Sequence, residues 1–214
     1  MEKSGYYLGR LRRQSRKEWM MEERKIGRKT DLRVLKTQKA IKDAFKEMVM
    51  EMDASQITVK ELSERAQIHR KTFYLHYTTI EALFEDIMKD LFQEYCRLIE
   101  QTAPDAPFDE VNRVFFTFMS RQEPYMERMV CAPSYRDFSD KLFMTMMIHN
   151  RSRYNPYANY SKEEQNVINT FLCLTSVNIY RQWVKDGKVL SLEDRIELTN
   201  RLFLHGISDV RHDL

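Results

Sequence analysis

Ile41, Ala44, Phe45, Met48 and Val49 fall at i, i+3, i+4, i+7 and i+8, the spacing that lays one apolar stripe along a helix and would scatter it over both faces of a strand. It predicts a first helix over about 36–52. The rest of the chain agrees: five glycines and five prolines in 214 residues are too few for an all-β sandwich, which needs turn residues every 8 to 12 positions or so. Hydrophobic residues make up 43% of the chain, enough for a buried core. An all-α fold is the expectation.

Capping signals divide the remainder. Thr58-Val59-Lys60-Glu61 has the form of a capping box, in which a hydroxyl and a carboxylate satisfy amides left free at a helix start. It predicts a second helix running to about Ala66. Gln67, Ile68 and His69 then separate it from a short third helix, Arg70 to Tyr77. Thr78-Thr79-Ile80-Glu81 reads as a second box opening a long helix from about Thr79 to Gln101. Pro104 and Pro107 break that helix, since neither donates an amide and each restricts the residue before it. Further helices are expected at about 108–120, 122–130, 134–150, 161–186 and 191–207. The last two open on Ser161 and Ser191 and close near Gly187 and Gly206, as an antiparallel pair.

Charge is unevenly placed. Residues 1–77 hold 19 basic and 11 acidic side chains against 16 and 21 in the rest, or +8 against −5. One half of the chain therefore suits a polyanion. No apolar run approaches the roughly 18 residues of a membrane span, and no secretory signal is visible at the N-terminus, so a cytoplasmic protein without a membrane partner is expected. Cys96, Cys131 and Cys173 are odd in number and far apart, as buried reduced thiols are. Enzyme signatures are missing. Gly27-Arg28-Lys29-Thr30 lacks the rest of a phosphate loop, and the five histidines show no metal-ligand spacing. No catalytic residue, metal or cofactor is expected.

Two short helices joined by a three-residue turn form the geometry that sets a second helix in the DNA major groove. Phe73 and Tyr77 share a face and should pack with Leu62, Ala66 and Ile68, which turns Arg70, Lys71 and Tyr74 outward. Arg70 is suited to guanine O6 and N7, Lys71 to guanine or phosphate, and the Thr72 methyl to thymine. Thr58, Tyr74 and His76 carry hydroxyl or ring donors for phosphate. Each has a plainer alternative: Thr58 as a cap alone, Tyr74 as half core, His76 as a buried hydrogen-bonded ring. His69 is either a cap or a contact.

The run Ile57-Thr58-Val59-Lys60-Glu61-Leu62-Ser63-Glu64-Arg65-Ala66, followed by Thr72-Phe73-Tyr74-Leu75-His76-Tyr77 and Glu81-Ala82-Leu83-Phe84, resembles the signature of the TetR family of transcriptional regulators. The resemblance covers about residues 36–92. Residues 1–32, rich in Arg and Lys with few periodic apolar positions, read as a basic extension, and the resemblance implies after it a three-helix helix-turn-helix DNA-binding domain at 33–93 with its motif at about 57–77 and a C-terminal helical regulatory and dimerisation domain at 94–214. It further implies a homodimer on a palindromic double-stranded operator, and repression released by a small-molecule inducer or a protein co-regulator. Leu172, Leu174, Val177, Tyr180 and Trp183 would then sit in the dimer bundle, or in ordinary protomer core. Two positions depart from the family pattern, Gln67 where glycine is usual in the turn and Ile80 where a phosphate-touching lysine is common. Those departures keep open a second function, an adaptor scaffold of the same fold that holds a protein without operator specificity. The aromatic and methionine-rich stretch 108–180 would hold an inducer pocket, with Arg113, Arg121, Arg128 or His149 available to an acidic effector, or would simply be core.

Overall fold

The computed structural model describes residues 32–206. All but the last residue of the basic extension at 1–32 lies outside the described residues, as does the end of the chain from 207. Nine α-helices and two single 3-10 turns make up the described residues, with no strand among them.

Helix α1 (Leu32–Glu51) buries the five-residue stripe, with Ile41, Phe45, Met48 and Val49 fully shielded from solvent. Each such side chain contributes roughly 1.5 to 3 kcal/mol by leaving water. A 3-10 turn at Ala54–Gln56 leads into α2 (Val59–Arg65) and α3 (Arg70–His76). Helix α4 (Ile80–Ile99) keeps one buried face along its whole length, through Leu83, Phe84, Ile87, Met88, Leu91, Tyr95 and Ile99. Its first half closes the core of the N-terminal head and its second half enters the C-terminal body. The boundary expected at 93/94 thus falls inside a continuous helix.

The body comprises α5 (Phe108–Ser120), α6 (Pro124–Cys131), α7 (Arg136–Arg153), α8 (Lys162–Lys185) and α9 (Leu192–His205). Helix α7 packs along α4 and against α8 and α6, and α5 packs against α9. The capping predictions hold best at α8, where Ser161 and Glu164 form the full reciprocal box. Helix α8 ends in a Schellman arrangement: the Gly187 amide donates to Val184 and the Lys188 amide to Trp183, with Gly187 at φ 70. The box expected at Thr78 sits one residue later, since Thr79 is the cap and its hydroxyl accepts from the Ala82 amide. That shift places Glu81 in the first turn, where its charge suits the helix dipole.

Head and body are joined by more than α4. Helix α1 packs on α6, with the Lys46 ammonium 4.6 Å from the Tyr125 ring centre and 3.6 Å from a Glu123 carboxylate oxygen. The Tyr135 hydroxyl donates to the Met52 carbonyl at 2.7 Å, and Phe138 stacks on Phe84 with ring centres 4.1 Å apart. All three cysteines are free and half-buried. Burial pushes the thiols of Cys131 and Cys173 up to about 11 and that of Cys96 to about 12, so they stay protonated at neutral pH and are poor nucleophiles.

Candidate nucleic-acid interface

The turn between α2 and α3 is set by local hydrogen bonds. The Ala66 amide donates to Leu62, the Gln67 amide to Glu64 and the Ile68 amide to Ser63. This reversal puts Gln67 at φ 53, the left-handed region where a Cβ is disfavoured. The departure from glycine read in the sequence is therefore accommodated by strain, with the turn intact.

Two anchors hold α3 on the head. Phe73 is fully buried with Leu62, Tyr77 is nearly so, and Ala66 and Ile68 pack against them, as the helical spacing predicted. The Tyr77 hydroxyl donates to Asp86 on α4 at 2.9 Å, and the Lys42 ammonium lies 2.9 Å from the same carboxylate and 2.5 Å from Asp90. Burial acts to lower the Lys42 pKa, but hydrogen bonds to Asp90 and Asp86 outweigh it and hold the group above its ordinary value. Burial first, and the Asp86 carboxylate second, push the Tyr77 phenol well up. The result is a Lys42–Asp86–Tyr77 chain across α1, α4 and the end of α3. Arg65 ties α2 to α1 through Glu51 at 2.6 Å.

With Phe73 and Tyr77 fixed inward, Thr58, His69, Arg70, Lys71 and Tyr74 are exposed, and Thr72 and His76 are half-exposed. The seven candidate residues lie on one short motif, on or next to α2 and α3. Thr58 is a cap: its hydroxyl accepts from the Glu61 amide at 3.2 Å, and its own proton remains for an outside acceptor. The reciprocal bond from Glu61 is replaced by an ion pair to Arg65 at 3.3 Å. His69 is the N-cap residue of α3 by backbone position, and its ring makes no capping bond. Tyr74 is 56% exposed, so it is not half core.

Leu75 was missed. It is 83% exposed on α3, a large apolar side chain left in water. The signal was legible, since Leu75 lies about 160–200° around the helix from Phe73 and Tyr77, opposite the core face.

Behind the head, α4, α5, α7 and α8 with the loops at 102–107 and 154–161 enclose a cavity of about 140 Å³. Phe115, Phe143, Met146 and Met147 of the aromatic and methionine-rich stretch line it, whereas Phe116, Phe118, Met119, Met126 and Met129 are buried core. None of the four cationic candidates reaches it. Arg113 is paired with Glu193 and His149 lies 3.9 Å from Glu100, and the cations lining the cavity are Arg151 and Arg153. Among the described residues no cluster of three His, Cys, Asp or Glu side chains is placed to hold a metal, and no helix is long and apolar enough to cross a membrane.

A short-turned pair of helices on a three-helix head, carried by an all-helical body, is the architecture of TetR-type transcriptional regulators. The solved structures agree. A TetR transcriptional regulator from Streptococcus agalactiae superposes with a TM-score of 0.61 at 22% identity, over 78% of this chain and 93% of that one. FadR from Bacillus subtilis, solved in complex with stearoyl-CoA, gives 0.60 at 14% identity over 78% and 97%. The fatty acid degradation regulator FadR of Bacillus halodurans gives 0.58 at 13% over 79% and 95%. No family model and no curated protein matches the chain. The protein has a TetR-like fold, all-α, with an N-terminal helix-turn-helix domain and a helical C-terminal domain, and at these identities the likeness is one of fold.

Proposed function

We propose that this protein is a sequence-specific DNA-binding transcriptional regulator that acts as a homodimer on a palindromic operator and is released from it by an effector. The observation that carries this is the exposed set on α3: Arg70, Lys71 and Tyr74 are exposed on a helix held in place by Phe73, Tyr77 and the Asp86 chain. Rigid placement is what base reading requires, because a bidentate arginine contact discriminates only in fixed register.

A second protomer is supported by apolar exposure on the last two helices. Val167 is 70% and Phe171 53% exposed on α8, and Leu198 and Leu204 are exposed on α9. This shifts the bundle face from the residues read in the sequence. Val177 and Tyr180 are fully buried in the protomer, with the Tyr180 hydroxyl donating to the Met119 carbonyl. Release by an effector is supported by the cavity and by the elements leading from it: α4 and α7 both line it, and both contact the head. The volume is about 140 Å³ and the cavity is partly open to solvent. An engineered cavity of about 150 Å³ takes benzene.

The adaptor reading has one observation in its favour, the exposed Leu75 beside Tyr74, a pair that also suits a protein surface. Selection of bound duplexes from a random DNA pool at about 0.15 M salt, repeated with Arg70→Ala, separates the two. A palindromic consensus that the variant binds more weakly by about 1 to 3 kcal/mol is expected. Salt-sensitive binding without a consensus would overturn operator reading and leave the adaptor.

A further inference from the structure

The cavity has an unusual electrical lining. Its walls are largely apolar, with Ile99, Phe115, Phe143, Met146, Leu172 and Val177 among them, and the charged side chains lining it are Arg151 and Arg153, with no carboxylate. Arg151 donates its Nε to Asn169 at 2.8 Å and lies over the Tyr157 ring at 4.6 Å. Arg153 donates to the Thr102 carbonyl at 2.8 Å and to its hydroxyl at 3.3 Å. Both guanidiniums are half-buried, and neither takes part in the ion pairs described above. Burial lowers the Arg151 pKa, with contacts to Tyr157 opposing it only in part. Two partly desolvated cations beside each other in sequence, with neutral partners only, lack the countercharge that such groups normally acquire.

The polar wall has spare capacity too. The Asn150 amide donates to the buried Tyr95 hydroxyl at 2.7 Å, so it is the guanidiniums that have donors to spare. Each guanidinium carries five donors, more than these bonds use.

We infer that the cavity takes a small organic monoanion, a carboxylate on an apolar body of about one benzene ring, with the carboxylate toward Arg151 and Arg153 and the body against Phe115, Phe143 and Met146. This rests on the effector-released regulator proposed above and names the chemical class of its effector. The geometry also supplies a route to the head. Helix α7 carries Met146 and Arg151 at its cavity end, while Phe138 near its other end stacks on Phe84 and the adjoining Tyr135 holds the Met52 carbonyl. Drawing the arginines onto a carboxylate loads the same rigid helix whose far end positions α1 and α4.

The test is calorimetric titration of the full chain, without DNA, using benzoate, phenylacetate and hexanoate, with phenylacetamide as the neutral match and inorganic phosphate as the anion without a body. At least one carboxylate is expected to bind, and its amide about tenfold more weakly or worse, as loss of a charge-assisted bond dictates. Arg151→Gln and Arg153→Gln should each weaken the carboxylate and leave the amide unchanged. Absence of binding tighter than about 1 mM for all three carboxylates overturns the proposal, as does equal affinity for the amide or tighter binding of phosphate. The carboxylate and amide comparison needs no variant, so a misfolded substitution does not blunt it. Because the titration contains no DNA, its failure leaves operator selection standing, and failure of that selection leaves the titration standing.

Discussion

The head and the body of this protein bury aromatic residues in comparable density, yet they solve different problems. In the head the buried side chains leave no cavity around one short helix: Phe73 and Tyr77 are buried with Leu62 and held by the Asp86 chain, and Arg70, Lys71, Tyr74 and Leu75 are exposed. In the body the corresponding residues leave a space. Phe115, Phe143 and Met146 stand around a cavity of about 140 Å³ with two cations at its wall. A surface that reads DNA gains from rigidity, whereas a domain that responds to a ligand must keep volume that the ligand can fill, at a cost in packing.

Truncation should separate the two regions most sharply. Phe73→Ala removes the anchor of α3 from a tight core and is expected to cost about 3 to 5 kcal/mol, read by urea denaturation, with loss of DNA binding. Met146→Ala deletes a side chain already facing a void and should cost nearer 2 kcal/mol, the low end for such a change. An equal or larger loss at Met146 would break the contrast, because it would mean the cavity is packed as tightly as the head.

Smaller changes sharpen it within the head. Tyr77→Phe keeps the ring and removes the bond to Asp86, so stability should fall by about 1 kcal/mol, measured as a shift in denaturation midpoint at constant slope. No shift would show that Lys42 alone satisfies Asp86. The smallest effect is expected at the turn, where Gln67→Gly relieves the left-handed φ and should raise stability by up to about 1 kcal/mol. A loss there would mean that the Gln67 side chain holds the turn by a contact worth more than the strain.

The two regions also differ in how much could be read without coordinates. In the head, stripe, caps and turn lie within some fifty residues, and the outward direction of Lys71 follows from the inward direction of Phe73 and Tyr77, whereas Arg70 lies three and seven positions from them and its exposure is seen only in the structure. The one omission there is Leu75, assigned neither to the core nor to the outward face although its angular position puts it opposite Phe73 and Tyr77. In the body the helices fell within a few residues of their expected bounds, but neither the pocket cations nor the split of α8 between core and exposed face was legible. The sequence offered Arg113, which Glu193 occupies, and passed over Arg151, which lines the cavity.

Arg195 shows the limit in its strongest form. It is 97% buried with none of its guanidinium nitrogens hydrogen-bonded, held between the rings of Phe116 and Trp183 at 4.1 Å each. Burial draws its pKa down to about 10. Nothing in Glu193-Asp194-Arg195-Ile196 marks that arginine as interior, since an arginine in an amphipathic helix is ordinarily solvated.

By itself the sequence determined the class of fold, the number and order of the described helices and the place of the turn. Those follow from interactions between residues a few positions apart, where spacing is a sufficient record of geometry. The tertiary structure alone decided which arginines meet a cavity, which apolar residues of α8 and α9 remain exposed, and how α7 links pocket to head. These depend on partners some 40 to 90 positions away, such as Phe138 on Phe84 or Asn112 on Asn200, and no local pattern specifies which distant side chain will arrive.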